Sequence, residues 1–202
     1  GIKGILVDLD NTFYEYKPAH KEALFAVYQE YKKVHEVSEE TFNTLYEQAQ
    51  QHVKEKIPTS AASHSRLLYF QRFTEVTEKK TNMELALHLE KIYWDTFYKV
   101  VVLRKDLIIF LQQCREKSIK ICILTDLTTD VQFRKMVALG LHTLVDFVVT
   151  SEETGEDKPS KSMFLTALEK LNLKKEEVIM IGDDITKDID GARKQNITAY
   201  LI

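Results

Sequence analysis

Very little in this chain bends or cross-links it. Its 202 residues include three prolines, six glycines and two cysteines. So few glycines and prolines exclude a collagen-like, linker-rich or low-complexity chain. Cys114 and Cys122 fall in a helical pattern and an apolar strand-like run and read as small core residues. Two such residues form neither a disulfide framework nor a zinc site. Reduced cysteines set a cytoplasmic location as the expectation. No apolar run approaches the ~18 residues of a membrane span. The N-terminus already reads as a strand, so no signal peptide is expected, and a first residue of Gly1 leaves room for a removed segment. There is no basic excess either: the net charge is -3, which gives no footprint for nucleic acid and no polybasic membrane patch.

The chemistry-bearing residues begin at once. Ile5-Leu6-Val7 runs into Asp8-Leu9-Asp10-Asn11-Thr12. A short run of aliphatic residues reads as a buried strand. Two carboxylates at its end repel each other and resist desolvation unless a cation compensates. The bland alternative is that Asp8 ends the strand and Asp10-Asn11 forms a turn.

After an aromatic linker (Phe13, Tyr14, Tyr16), residues from Pro18 to about 100 are helical, with Ser38 opening one helix and Asn82 another. From about 101 the pattern alternates. Helices are expected at 106–117, 129–139 (closed by Gly140), 161–171 and 185–195, and strands at 119–125, 144–150, 178–181 and 197–202. Alternating strands and helices predict an α/β fold with a parallel sheet. The 44% hydrophobic content suffices for one large core or a core plus a smaller module.

Four polar clusters each follow a strand or open a helix: Asp8 with Asp10, Thr125-Asp126, Lys158-Pro159, and Gly182-Asp183-Asp184 with Asp188. Each alone has an ordinary explanation as a cap, a solvated lysine or a turn. In a parallel sheet, however, they share one edge, where ligands bind. Phosphoryl transfer suits such a set. One carboxylate serves as nucleophile, a hard divalent cation such as Mg²⁺ takes oxygen ligands, a second carboxylate moves the proton, and a hydroxyl and an ammonium hold the phosphoryl oxygens.

In order and spacing these clusters resemble the haloacid dehalogenase-like hydrolase superfamily across the whole chain. Its motifs are matched by Asp8-Leu9-Asp10-Asn11-Thr12, by Thr125, by Lys158-Pro159, and by Gly182-Asp183 with Asp188. The resemblance implies a Rossmann-like sheet of order 5-4-1-2-3, a core of 1–14 and 101–202, and an inserted helical cap at 15–100. It implies Asp8 as nucleophile, Asp10 as general acid/base, and Thr125 and Lys158 as catalytic partners. Mg²⁺ would be held by Asp8, the Asp10 carbonyl and Asp183, with Asp188 as the outer acid of that group. The run through Gln132, Leu139-Gly140-Leu141 and Thr150 to Gly155 is similar to nucleotidase-like and sugar-phosphatase-like members. Asp126 departs from the usual Asn, Ser160-Lys161 from Asp-Pro, and Phe13 from Leu.

The expectation is Mg²⁺-dependent phosphomonoester hydrolysis through an aspartyl-phosphate, on a nucleotide or sugar phosphate, with no nucleic-acid or membrane partner. Asp10 argues against dehalogenation, because a halide leaves without a proton. A non-catalytic phosphate-binding module and a sugar-phosphate mutase stay open as alternatives. Asp126, Phe13 and Arg66 are the candidate substrate-binding residues. Each has a structural alternative: a cap on the next helix for Asp126, packing for Phe13, and a surface position for Arg66. Asp184 either reaches a metal-bound water or caps a helix.

Overall fold

The computed structural model describes all residues, 1–202. It divides into two compact units, 1–15 with 102–202, and 16–101.

The chain enters through β1 (Gly4–Asp8), whose five residues are all buried. It then leaves the sheet for four helices: α1 (Tyr16–Tyr31), α2 (Glu39–Lys56), α3 (Arg66–Glu78) and α4 (Met83–Val100). Three helix starts carry side-chain caps, which satisfy amides that have no intrahelical partner. Ser38 accepts from the Thr41 amide at 3.1 Å, Ser65 from Leu68 at 3.2 Å and Asn82 from Leu85 at 3.0 Å. The helices join through aromatic rings. Tyr31 meets Phe73 edge-on at 5.1 Å, and Phe42 lies 5.2 Å from Phe73.

The other unit continues with α5 (Lys105–Glu116), β2 (Lys120–Thr125), α6 (Thr129–Ala138), β3 (Phe147–Thr150), α7 (Ser151–Thr154), α8 (Lys161–Leu171), β4 (Val178–Gly182), α9 (Gly191–Lys194) and β5 (Thr198–Leu201). The five strands are parallel in the order β3-β2-β1-β4-β5, the order that the sequence resemblance implies. Leu6, Cys122, Leu124, Val149 and Met180 on the strands share one core with Met163, Phe164, Ala167 and Leu171 of α8. Both cysteines are buried and unpaired. No helix is long and apolar enough to cross a membrane.

Strand register aligns the polar ends. Asp8 pairs with Leu124, and Val7 with Ile181. Asp8, Thr125 and Gly182 therefore end three adjacent strands on the same edge.

Two elements differ from the sequence reading. The third strand begins at Phe147 rather than Leu144, because a 3₁₀ turn over Leu141–Thr143 captures the Leu144 amide at 3.0 Å from the Leu141 carbonyl. The last helix is not one α-helix. Residues Ile185–Asp190 form a wide π turn, and α9 is a single turn after it. The Asp184 carbonyl accepts from both Asp188 and Ile189, at 2.9 and 3.2 Å, which is how the extra residue is held. Gly140 does close α6, with a φ of 73°.

Candidate active site

Asp8 is the last residue of β1 and is buried. An isolated carboxylate there is unfavourable, and Lys158 answers it. The Lys158 ammonium donates to Asp8 Oδ1 at 2.6 Å, to Asp188 Oδ1 at 2.9 Å and to the Leu124 carbonyl at 2.9 Å. All three of its donors are used. Burial works against the charge on Lys158, but Asp8 and Asp188 outweigh it and hold the group well above the usual lysine range. For Asp8 burial dominates. The carboxyl is pushed well up despite Lys158, and the nearby Asp188 adds to the rise.

The loop after β1 turns through Asn11 at φ 65°, a left-handed position that Asn tolerates. The turn brings Thr12 back over the strand end, its hydroxyl 2.9 Å from Asp8 Oδ2 and 3.0 Å from Asp183 Oδ1. The Asn11 side-chain amide donates to Asp183 Oδ2 at 2.8 Å. Burial raises the Asp183 carboxyl, yet its hydrogen bonds with Asp8, Asn11 and Thr12 win, and the net shift is downward.

Asp188 arrives from the π turn. Gly182 has no side chain, and the Asp188 carboxyl lies where a Cβ would stand, 2.3 Å from that point. Asp188 Oδ2 also accepts the Asp184 amide at 3.1 Å. Asp184 itself caps the π turn, accepting the Lys187 amide at 2.8 Å.

Oxygens of Asp8, Asp183 and Asp188 lie within 4.8 Å of one another. Three carboxyls lie that close, and the two buried ones, Asp8 and Asp188, share the Lys158 ammonium. Such an all-oxygen donor set fits a hard divalent cation.

Asp10 faces another group. Its Oδ1 accepts from the Lys135 ammonium at 2.6 Å and from the Tyr14 hydroxyl, and its Oδ2 accepts from the Gln132 amide at 2.7 Å. Burial opposes its charge, but Lys135, Tyr14 and Gln132 overcome this and bring the carboxyl down to about 2. Gln132 also donates to the Thr125 hydroxyl at 2.5 Å and to the Asp126 carbonyl at 3.0 Å, which joins Thr125 to the Asp10 cluster. Lys135 escaped the sequence reading. It lies three residues after Gln132 on α6, and both are buried on the face that also carries Met136. The readable signal was a lysine in phase with that apolar face.

The structure therefore brings Asp8, Thr12, Lys158, Asp183 and Asp188 together, with Asp10 and Thr125 in a second, adjoining network. Asp126 does not cap α6. Its Oδ1 accepts the Lys158 amide at 2.9 Å and its Oδ2 the Lys187 ammonium at 2.8 Å, so it braces the loop that presents Lys158. Phe13 is completely buried. Arg66, at the start of α3, is no surface residue: it is 7% exposed, within 6 Å of the rings of Tyr16, Tyr69, Tyr93 and Trp94. It donates to the His64 carbonyl at 2.7 Å and to the Tyr16 hydroxyl.

The profile of the haloacid dehalogenase-like hydrolases matches residues 2–196. The chain is 35% identical over 198 residues to a ribulose-1,5-bisphosphate 5-phosphatase of Halopiger xanaduensis, covering 98% of this chain and 83% of that one. It is 30% identical over 204 residues to a glyceraldehyde 3-phosphate phosphatase of Methanopyrus kandleri, covering 100% and 84%. Among solved structures, a HAD phosphatase of Thermococcus onnurineus superposes with a TM-score of 0.75 at 23% identity, covering 100% of this chain and 86% of that one. With the family profile spanning nearly every residue and the motif side chains meeting at one sheet edge, the chain belongs to the haloacid dehalogenase-like hydrolases, in their phosphatase branch.

Proposed function

We propose that this phosphatase hydrolyses the monoester of a small sugar phosphate through a phosphorylated Asp8. The observation that supports it is the meeting of Asp8, Thr12, Lys158, Asp183 and Asp188, with Asp10 two residues from the nucleophile. The sugar-phosphate class follows the two relatives, whose names specify a pentulose bisphosphate and a triose phosphate.

In the first step the Asp8 carboxylate forms a bond to phosphorus and the ester P–O bond breaks. Asp10, ionised in the free site, has to enter this step protonated, and it gives that proton to the departing alkoxide. In the second step water attacks phosphorus, Asp10 takes its proton, and the bond between phosphorus and Asp8 breaks to release phosphate. Thr125 and Lys158 hold phosphoryl oxygens, Lys158 exchanging one of its three present partners for a phosphoryl oxygen and offsetting its charge. Asp8, the Asp10 carbonyl and Asp183 would hold Mg²⁺, with Asp188 behind them; the ion, when bound, neutralises phosphoryl charge. Residues 16–101 act as the specificity cap, and Arg66 is its candidate anion contact. Asp126 and Phe13 bear on the substrate only through the loops they hold.

The test is phosphate release from a panel of sugar and nucleoside monophosphates. Asp8→Asn should abolish it and Asp10→Asn should slow it by about 10²–10⁴-fold, and retained turnover in Asp8→Asn would refute the mechanism. A mutase would instead return the phosphate to another position of the sugar.

A further inference from the structure

Lys135 is 2% exposed, yet it carries a charge. A methionine or leucine would fill the same space on α6 without desolvating an ammonium. Replacing a buried ion pair by apolar groups is often neutral or stabilising, so stability does not explain a lysine here. What the lysine does is act on Asp10. Lys135 and Tyr14 meet Oδ1, and Gln132 meets Oδ2. A carboxylate offers about four lone-pair sites, and three are taken. The side chain is therefore fixed in rotation with one lone-pair direction left untaken, and 33% of it remains exposed.

We infer that Lys135, supported by Gln132 and Tyr14, is a positioning residue that fixes the Asp10 carboxyl in the one orientation from which it exchanges a proton with the ester oxygen and with water. This rests on the acid/base reading of Asp10 proposed above. Lys135 touches neither substrate nor the reacting phosphorus; it acts through Asp10. Gln132 extends the same control to Thr125, so one helix face sets both the proton carrier and a phosphoryl contact.

The experiment compares Asp10→Asn, Lys135→Met and the double variant on the alkyl sugar phosphate that the native enzyme turns over fastest, and on 2,4-dinitrophenyl phosphate. The dinitrophenolate group leaves without a proton. General acid–base catalysis contributes about 10²–10⁴-fold, and misplacing its carrier should remove part of that. Lys135→Met is expected to lower kcat on the alkyl ester by about 10- to 100-fold with little change in KM. The double variant should be no slower than Asp10→Asn within about twofold, since Lys135 has nothing to position once the carboxyl is gone. The pre-steady-state burst of dinitrophenolate should persist in all three, showing a folded enzyme with a competent Asp8. The inference is overturned if the double variant is slower than Asp10→Asn by the full Lys135→Met factor, or if Lys135→Met removes the burst. Unchanged alkyl turnover in Asp10→Asn would instead refute the acid/base reading itself.

Discussion

Substituting Gly182 by alanine tests how the fourth cluster is built. The added Cβ would stand 2.3 Å from Asp188 Oδ2 and 2.5 Å from both Cβ and Cγ of Asp188. Carbon contacts are comfortable at about 3.5–4.0 Å, so Asp188 must retreat by about 1 Å. Its own Cβ is among the clashing atoms, so a rotamer change does not relieve the overlap, and the π turn must move. That movement lengthens the 2.9 Å bond from Lys158 to Asp188 Oδ1 and the 3.1 Å bond from the Asp184 amide. Overpacking a core costs about 1–3 kcal/mol. Breaking a buried pair costs about 3–5 kcal/mol when the pair is lost outright; here Lys158 keeps Asp8 at 2.6 Å, so only part of that applies. The expected loss is about 2–4 kcal/mol. In a chain of this size it appears as a melting point lower by about 5–15 °C. Urea titration measures the stability, and phosphate release at a temperature where the variant is folded measures the site. A Gly182→Ala variant that unfolds within about 0.5 kcal/mol of the native protein and keeps native turnover would refute this account of the cluster.

Gly140 supplies the contrast: nothing lies within 4 Å of an added Cβ, but φ is 73°, so Gly140→Ala should cost about 1 kcal/mol by backbone strain alone and leave kcat unchanged. Lys158→Met leaves Asp8 and Asp188 buried without their cation; it should lower stability by about 3–5 kcal/mol in urea titration, and activity should vanish even where the protein is folded. His20 should make the helical unit acid-sensitive. Burial, then the Arg66 and Lys54 charges, lower it from 6.5 to about 4, so it folds neutral and the unfolded chain binds the proton first. Its stability contribution is whole above about pH 6.5 and is lost as pH falls toward about 4. The loss is about 3 kcal/mol at most, read by the fluorescence of Trp94, the chain's single tryptophan, and removed in His20→Phe. Exhaustive chelation should abolish phosphate release and added Mg²⁺ restore it, whereas turnover that survives chelation would exclude the proposed metal role.

The chain's local chemistry was legible without coordinates. Apolar runs ending in Asp8, Thr125 and Gly182 mark strand ends, because a buried parallel strand must be apolar until it reaches the edge. Ser38, Asn82 and Gly140 mark helix ends because backbone groups there need partners or a left-handed turn. These signals lie within a few residues, and they were enough for the α/β class and for the edge where polar groups collect. Partner choice was not legible, because it depends on residues far apart in the chain. Asp126 could equally have capped α6, and only the packed loop shows that it takes the Lys158 amide and the Lys187 ammonium. Arg66 reads in sequence as a substrate clamp or a surface cation, and only the fold shows four aromatic rings closed around it. Lys135 reads as an ordinary helix lysine, 125 residues from the carboxylate that it grips at 2.6 Å. The π turn is equally invisible in sequence, since it depends on Asp188 packing against Gly182 from outside the strand. Sequence placed the charges at the sheet edge by strand periodicity; folding decided which charge answers which, because a buried charge is stable only beside a partner that the packing supplies.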